Sequence, residues 1–270
     1  MRRIENTDLR PQVSGAGGFA GRGGRRLVAV LALAGVLPGL TTCGPGHRTD
    51  CLKSAGKVIT ERRDVPAGLR TLTSYDNVDI TIVPDTDTYA EVRAGKNVIE
   101  DIEFTVKGDA LEIGNTAKCN WVRSYDNPHE VTLHLPTLPN IFLRGSGNIS
   151  TAAPLRQDTT FLHLIGAGDY QLELIGNYCN ADMYERGDFN LRGSLHTLAL
   201  TVGGNGRFFG QDMQTRRCYF QTTRDSDGDA HVRASEAVGG FVRGTGTFYY
   251  AGNPPQVDIK VTGQGRAQAE

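Results

Sequence analysis

The sequence predicts an all-β protein that folds as a right-handed, parallel β-helix-like solenoid with coils of about 20 residues. The first observation behind this prediction is a glycine-containing turn that recurs along the second half of the chain. Measured between the last glycines of successive copies, the steps are 21, 19, 19, 22, 18 and 19 residues. The copies are Gly145-Ser-Gly147, Gly166-Ala-Gly168, Glu185-Arg-Gly187, Gly204-Asn-Gly206, Ser226-Asp-Gly228, Gly244-Thr-Gly246 and Gly263-Gln-Gly265.

The second observation is that apolar and polar residues alternate throughout the chain after residue 57. Runs such as Val78–Val83, Ile102–Val106 and Val131–Leu135 show the period of two that is typical of a sheet with one buried face. No stretch shows the period of an amphipathic helix longer than a turn or two. The residues before residue 145 are therefore also expected to form strands.

The third observation is that inward positions recur in phase with the turn. Numbered from the last turn glycine, positions +2, +4 and −4 are mostly apolar, although position −4 holds Arg224 in one repeat. A unit of about 20 residues cannot bury its apolar face alone, so stacking on its neighbours is expected. The turn glycines are expected to serve a positive φ or a tight corner. An antiparallel meander with one hairpin per repeat remains an alternative at this point.

The N-terminus has the features of an export signal. Arginines at positions 22, 25 and 26 precede the apolar run Leu27–Leu40, which is too short to span a membrane but suits a signal peptide. The sequence Leu40-Thr-Thr-Cys43 resembles a bacterial lipobox, in which the cysteine is acylated and becomes the new N-terminus. Thr42 replaces the usual glycine, alanine or serine. An ordinary secretory peptide is the alternative.

These features predict three segments: a signal peptide over residues 1–42, a lipidated tether over 43–56 and one β-solenoid domain over 57–270. The membrane is then a partner through acyl chains on Cys43, which anchor a protein without a transmembrane helix. The expected location is the bacterial cell envelope, as an outer-membrane lipoprotein. With 29 basic and 30 acidic residues the chain has a net charge of −1, so nucleic acid is not an expected partner.

The cysteines other than Cys43 predict one disulfide. Cys179 and Cys218 hold similar phases two repeats apart, which places them about 10 Å from each other at the usual strand spacing of about 4.8 Å. That distance exceeds the limit of about 7 Å between the Cα atoms of a disulfide. We therefore expect a Cys51–Cys119 bridge and two unpaired thiols.

The repeated turns resemble those of a known family. They end in the stretch Val242–Pro254, and together with the lipoprotein leader they are similar to the putative auto-transporter adhesin, head GIN domain family. The stretch Cys119–Tyr125, with Cys51 before it, resembles a lipoprotein branch of that family. The resemblance covers residues 66 to 265 and implies a β-helix-like fold, an envelope location and an adhesin-like role. Glu185–Asp188 and Arg224–Asp229 depart from the Gly-x-Gly-Asp form of the turn.

Most apparent chemical motifs fall on the repeat turn. Asp225, Asp227 and Asp229 could form a weak Ca²⁺ site, but they lack the distal glutamate of an EF-hand loop and are expected to be a solvated turn. The tripeptide Arg186-Gly-Asp188 also lies on a turn. The six histidines show no ligand spacing. No metal and no cofactor are therefore expected.

The expected function is a non-catalytic, adhesin-like binding surface for a glycan or for an envelope or cell-surface protein. The candidate surface residues are Trp121, Arg123, Tyr125 and Tyr249, because aromatic rings can stack on sugars. The competing class is a polysaccharide lyase or hydrolase on the same scaffold, with Glu173 and either Asp182 or Asp188 as its carboxylates. A structural or envelope-sensing lipoprotein is a further alternative.

Overall fold

The computed structural model describes residues 54–117 and 127–270. These residues form eighteen β-strands and one short 3₁₀ turn at Ile99–Asp101, all strands belonging to one hydrogen-bonded sheet. The strands are β1 Val58–Asp64, β2 Thr71–Ser74, β3 Asp79–Pro84, β4 Tyr89–Gly95, β5 Ile102–Lys107, β6 Ala110–Asn115, β7 His129–Leu135, β8 Asn140–Leu143, β9 Ile149–Thr151, β10 Leu155–Arg156, β11 Thr159–Leu164, β12 Tyr170–Met183, β13 Phe189–Val202, β14 Phe208–Thr222, β15 Ala230–Val242, β16 Thr247–Ala251, β17 Gln256–Val261 and β18 Arg266–Ala269.

The strands from β8 onward wind as a parallel β-solenoid, which confirms the predicted fold class. Residues pair with partners one repeat later along the chain, as Leu172 does with Leu191 and Cys218 with Val238. All pairings between successive coils are parallel. The antiparallel meander is therefore excluded for this part of the chain. Within the described residues, no helix is long and apolar enough to cross a membrane.

The turn glycines stack directly on one another, and this contact explains the repeat. A Cβ on Gly168 would lie 1.8 Å from the carbonyl oxygen of Gly147, and one on Gly187 would lie 1.9 Å from that of Gly168. The expectation of a positive φ was wrong for these turns, because the glycines with positive φ lie elsewhere, for example Gly193 and Gly240. The turn needs glycine because the backbone of the neighbouring coil occupies the place of a side chain.

A ladder of Asp and Asn side chains, which we call the Asx ladder, joins the corners of successive coils. Where the residue after the turn glycine is Asp or Asn, its side chain accepts a hydrogen bond from a backbone N–H one coil later. Asn148 Oδ1 receives the N–H of Asp169 at 2.9 Å, and Asp169 Oδ1 receives that of Asp188 at 2.8 Å. Asp188 Oδ1 receives the N–H of Arg207 at 2.7 Å. The Gly-Asp pairs of the sequence are therefore a structural motif of the corner.

The core lies inside the coils and consists of like residues stacked in rows. Position +2 forms the row Ile149, Tyr170, Phe189, Phe208, Ala230 and Phe248, all buried. The rings of Tyr170 and Phe189 stack at 4.8 Å between centroids. The Tyr170 hydroxyl donates to the carbonyl of Ile141 at 3.0 Å, so the buried hydroxyl is satisfied. Such rows provide the burial that one repeat could not achieve alone.

Cys179 and Cys218 lie in one inward row with Leu198 between them. Both thiols are buried and free. Burial raises the pKa of each thiol to about 12. These cysteines are core residues whose thiols stay protonated at neutral pH.

Arg224 is an exception to the predicted inward row. The structure exposes Arg224 and buries Thr222, which pairs with Val202 of the preceding coil. The cause is a longer corner before Gly228, in which Ser226 takes the place of the first turn glycine and its carbonyl accepts the N–H of Thr245. Counting back four residues from Gly228 therefore stops two residues short of the strand end at Thr222.

The N-terminal part of the solenoid does not follow chain order. β2 lies between β6 and β8, and β3 lies between β7 and β9, so the coil made of β6 and β7 precedes the first coil in space. β4 pairs antiparallel with both β1 and β7, and β5 pairs antiparallel with β6. These antiparallel strands cover the parallel edges at this end, where unpaired backbone groups would otherwise invite association.

Candidate functional site

Several predicted site residues lie outside the described residues. These are the predicted lipidation site Cys43, the predicted disulfide partners Cys51 and Cys119, and the candidate surface residues Trp121, Arg123 and Tyr125. Their predicted roles stay predictions. The described part of the chain nevertheless contains Tyr249, the Asp-rich turn and both candidate carboxylate pairs.

Tyr249 points outward, as its phase predicts, but its ring is part of an aromatic row. It stacks on His231 at 4.4 Å between ring centroids, and His231 stacks on Phe209 at 6.2 Å. Its strand neighbour on the other side is Gln268 of β18. Tyr249 is half-buried, because neighbouring side chains cover much of its ring.

The Asp-rich turn is engaged in coil-to-coil hydrogen bonds. Asp229 Oδ1 accepts the N–H of Thr247 at 2.6 Å, and Asp227 Oδ2 accepts from the amide of Asn205 at 3.2 Å. Asp225 is exposed at the corner. Across the described ranges, no group of three or more His, Cys, Asp or Glu side chains has a metal-binding arrangement.

The carboxylates considered for catalysis pair with basic side chains of the neighbouring coils. Glu173 meets Arg192 Nε at 3.0 Å, and Asp188 meets Arg207 Nη2 at 3.2 Å. Asp182 lies 3.5 Å from His163 Nδ1. Each carboxylate therefore already has a structural partner on the outer face.

His163 lies in an outward row between Phe142 and Asp182. Its ring stacks on that of Phe142 at 4.3 Å between centroids. Burial lowers the pKa of His163; the nearby Asp182 carboxylate opposes this effect and Arg144 adds to it. Burial within the packed surface thus favours the neutral form of the His163 ring.

An open aromatic surface of the solenoid is a shallow groove that the sequence analysis did not single out, and we call it the Tyr219 groove. It crosses the outer face of β13, β14, β15 and β17 and encloses about 490 Å³. Tyr219 is 50% exposed and Phe241 is 37% exposed. The lining also includes Asn180, Ala199, Thr201, Gln221, Ala237, Gly239, Gln256, Asp258 and Lys260.

The groove exists because small residues surround Tyr219 in its row. Tyr219 pairs with Ala199 on one side and Gly239 on the other. A Cβ on Gly239 would lie 3.8 Å from Cδ1 and 4.0 Å from Cε1 of Tyr219, so the ring edge lies beside a position that has no side chain. The ring of Tyr219 therefore projects beyond its two neighbours in the row, Ala199 and Gly239, which have small side chains or none.

The rim of the groove is held by contacts between coils. Gln221 accepts from Arg243 Nη1 at 3.0 Å and donates to Thr201 Oγ1 at 3.4 Å. The guanidinium of Arg243 lies 4.5 Å from the ring centroid of Phe241, and Lys260 Nζ lies 5.8 Å from it. These contacts hold Phe241 as a fixed wall of the groove.

The chain matches a known protein family over most of its length. Residues 68–254 match the family model described as putative auto-transporter adhesin, head GIN domain, which is more than half of the chain. The chain belongs to this head GIN domain family. The predicted resemblance is confirmed. No curated protein matches the chain.

The chain is also similar in structure to solved proteins of the same fold. A putative adhesin from Bacteroides fragilis is 21% identical, with a TM-score of 0.73, covering 79% of this chain and 97% of its own. A putative lipid binding protein from Parabacteroides distasonis is 16% identical, with a TM-score of 0.63 and coverage of 80% and 97%. A putative adhesin from Parabacteroides merdae is 16% identical, with a TM-score of 0.58 and coverage of 80% and 98%. At these identities the likeness shows the shared fold.

Sequence reasoning missed Tyr219 and Phe241 because it searched for aromatic residues that are close together in the chain. The signal that could have found them is a row across the repeats. Taking every residue one repeat apart places Ala199, Tyr219 and Gly239 side by side, an aromatic residue between two small ones. The groove follows from that combination.

Proposed function

We propose that this chain is a lipid-anchored protein of the bacterial cell envelope whose solenoid is an adhesin-like, non-catalytic binding surface. The lipobox-like sequence at Cys43 supports the anchor, and membership of the head GIN domain family supports the adhesin-like role. The structural observation that carries the proposal is the Tyr219 groove, where exposed aromatic rings lie on a rigid parallel sheet.

The solenoid suits binding because its outward side chains are held before a ligand arrives. Neighbouring strands fix the rows about 4.8 Å apart, and contacts such as that between Gln221 and Arg243 fix the rim. Ordering side chains on binding costs about 0.5–1.5 kcal/mol for each flexible one, so a preorganised surface loses less. A rigid array of coils therefore favours recognition.

The ion pairing and the burial of the potentially reactive side chains support a non-catalytic role. Glu173 and Asp188 are paired with arginines of the next coil. Cys179 and Cys218 are buried, with pKa values raised to about 12, and a thiol is nucleophilic only as the thiolate. These groups serve packing and coil-to-coil cohesion.

The anchor is tested by labelling expressing cells with radioactive palmitate. We expect the wild-type chain to incorporate label and partition into detergent, and Cys43→Ala to do neither. Cys51→Ser is the matched control, because it removes a nearby cysteine outside the lipobox. Equal labelling of the wild type and Cys43→Ala would contradict the proposed anchor.

The adhesin-like role is tested with the purified full chain on beads. Beads carrying the protein are expected to be retained under flow on mucin-coated surfaces or on intact bacterial cells, whereas beads carrying albumin are released. Equal release of the two kinds of bead from both surfaces would refute the adhesin-like role.

A further inference from the structure

We propose that the Tyr219 groove binds a neutral oligosaccharide, with Tyr219 as the ring on which a sugar stacks. This inference rests on the proposed binding function and adds the class of ligand. It is carried by four features of the groove: an open aromatic ring, a low floor, a rim of amides and hydroxyls, and a near-neutral charge.

The open ring is Tyr219. It is as exposed as any large hydrophobic side chain of the described residues, at 50%, and it has Ala199 and Gly239 as its strand neighbours. A sugar ring has an apolar face of C–H groups, and an aromatic ring with an apolar body and a polar hydroxyl matches such a ligand. The empty space above Gly239 lets a sugar lie against the tyrosine.

Phe241 supplies the second apolar surface. It lies on the strand after Tyr219 and two residues further along, which places the two side chains about 8 Å apart at the usual spacings within a sheet. Arg243 and Lys260 already lie over the Phe241 ring, so this residue acts as a wall beside the ligand. The spacing lets two linked sugar units lie across adjacent coils.

The rim offers hydrogen-bonding groups that remain free. The backbones of Gln256 and Asp258 pair with β15, but their side chains, which line the groove, make no hydrogen bond to another described residue. Asn180 donates its amide N–H to Asp182 at 2.6 Å, which leaves its carbonyl oxygen for a ligand. Amide and carboxylate oxygens accept hydrogen bonds from hydroxyl groups, and amide N–H groups donate to them.

The charge balance favours a neutral ligand. Arg217 at the edge is paired with Glu236 at 3.2 Å, and Arg243 is hydrogen-bonded to Gln221. The ionic groups that remain in the groove are Asp258 and Lys260, one of each sign. The lining residues therefore carry no net charge of their own, and the positive charge of Arg243 stays at the rim, where its guanidinium lies over the Phe241 ring and bonds to Gln221.

The size of the groove favours an oligosaccharide over a protein. Its volume of about 490 Å³ falls within the range of small-ligand sites, about 300–1,000 Å³. A stable protein interface needs about 20–30 residues on each side, whereas fifteen residues line this groove. The surface therefore fits a chain of a few sugars.

The test uses the full-length protein in detergent and saturation-transfer NMR titrations with single probes. The neutral probes are cellobiose, maltose, mannobiose and diacetylchitobiose; the acidic probes are sialyllactose and a heparin disaccharide. We expect at least one neutral probe to bind and Tyr219→Ala to weaken it about tenfold. Tyr184→Ala is the matched control, because Tyr184 is 48% exposed and lies outside the groove, and it should leave binding unchanged.

Gly239→Leu provides a second variant that does not remove the tyrosine. A Cβ at this position meets no atom closer than 3.4 Å, and the glycine has no positive φ, so the fold accepts a side chain here while the groove fills. We expect this variant to keep its thermal midpoint and to lose binding about tenfold. Unchanged binding in Gly239→Leu, no binding by any neutral probe, or tighter binding of the acidic probes would overturn the oligosaccharide site.

The bead assay separates this inference from the adhesin-like role. If wild-type and Gly239→Leu beads adhere equally while no neutral probe binds, the oligosaccharide site is refuted and the adhesin-like role stands. If a neutral probe binds through Tyr219 but beads do not adhere, the site stands and the adhesin-like role is refuted. Loss of both probe binding and bead adhesion in Gly239→Leu would support both proposals.

Discussion

Replacing Gly168 by alanine should open one corner of the solenoid. The new Cβ would lie 1.8 Å from the carbonyl oxygen of Gly147, and real Cβ atoms essentially never approach closer than 3.0 Å. The two coils must therefore move apart at this corner by at least about 1.2 Å. No side chain can relieve the clash, because the opposing atom belongs to the backbone.

The magnitude follows from the hydrogen bonds that cross this corner. The N–H of Ala167 donates to Gly145 at 2.9 Å, that of Gly168 donates to the same carbonyl at 3.2 Å, and that of Asp169 donates to Asn148 at 2.9 Å. Moving the coils apart breaks these three bonds, at about 1 kcal/mol each. Overpacking adds about 1–3 kcal/mol, so we expect a loss of about 4–6 kcal/mol.

The assay is urea unfolding followed by far-ultraviolet circular dichroism on the full chain. A loss of this size lowers the urea midpoint by about 2–3 M if the slope is about 2 kcal/mol per M. Gly239→Ala is the control, because its Cβ would meet no atom closer than 3.4 Å, and it should stay within about 0.5 kcal/mol of the wild type. A wild-type midpoint for Gly168→Ala, or equal losses in the two variants, would refute the steric explanation of the repeat.

Three further predictions test the Asx ladder, the buried thiols and the surface histidine. Asp169→Ala should lower the free energy of unfolding by about 1 kcal/mol, because the N–H of Asp188 loses its acceptor. Asp169→Asn keeps an acceptor oxygen and should be about as stable as the wild type. Equal losses of stability in the two variants, measured by urea unfolding, would contradict the ladder. Cys179 and Cys218 should resist Ellman's reagent in the native protein, because burial raises the pKa of both thiols to about 12. Both thiols should react once urea unfolds the chain. Rapid labelling of the native protein would show that the reagent reaches these core residues. Burial lowers the pKa of His163, so its protonation favours the unfolded chain, and stability should fall as the pH drops through about 6.5. Urea unfolding at pH 7.5 and at pH 5.5 measures how much stability is lost between the two pH values. This loss should be smaller for His163→Phe than for the wild type. An identical loss in the two proteins would show that protonation of His163 does not contribute to it.

The repeat period made the solenoid predictable from the sequence. Glycine at the corner and apolar residues at +2 and +4 recur together, and the structure buries Tyr170 and Phe189 where this phase places them. The sequence could not reveal why glycine is needed. The contact between Gly168 and Gly147 joins residues of different coils, so it exists only after the coils stack.

The first coils were less predictable, because they do not follow chain order. The alternation of apolar and polar residues identified Val131–Leu135 as part of a strand. The alternation does not indicate which other strand pairs with this one. Placing β2 between β6 and β8 depends on long-range pairing. The antiparallel β1 and β5 then cover this end, an arrangement that a repeat count alone does not contain.

For the candidate site too, one part could be predicted from the sequence and another part depends on the tertiary structure. The outward direction of Tyr249 could be deduced from its phase, but its stacking on His231 depends on the neighbouring coil. The Tyr219 groove needs an aromatic residue in one coil and small residues in the coils on either side, at Ala199 and Gly239. These residues are distant in the chain and become neighbours through winding.

By itself, the sequence determined the all-β solenoid, the period of its coils and the family to which it belongs, because these follow from local alternation and a repeated corner. The tertiary structure decided which coil lies next to which and which aromatic rings stay open. The physical reason is that a solenoid forms its outer surface from residues one repeat apart, and their size and charge combine only when the coils stack.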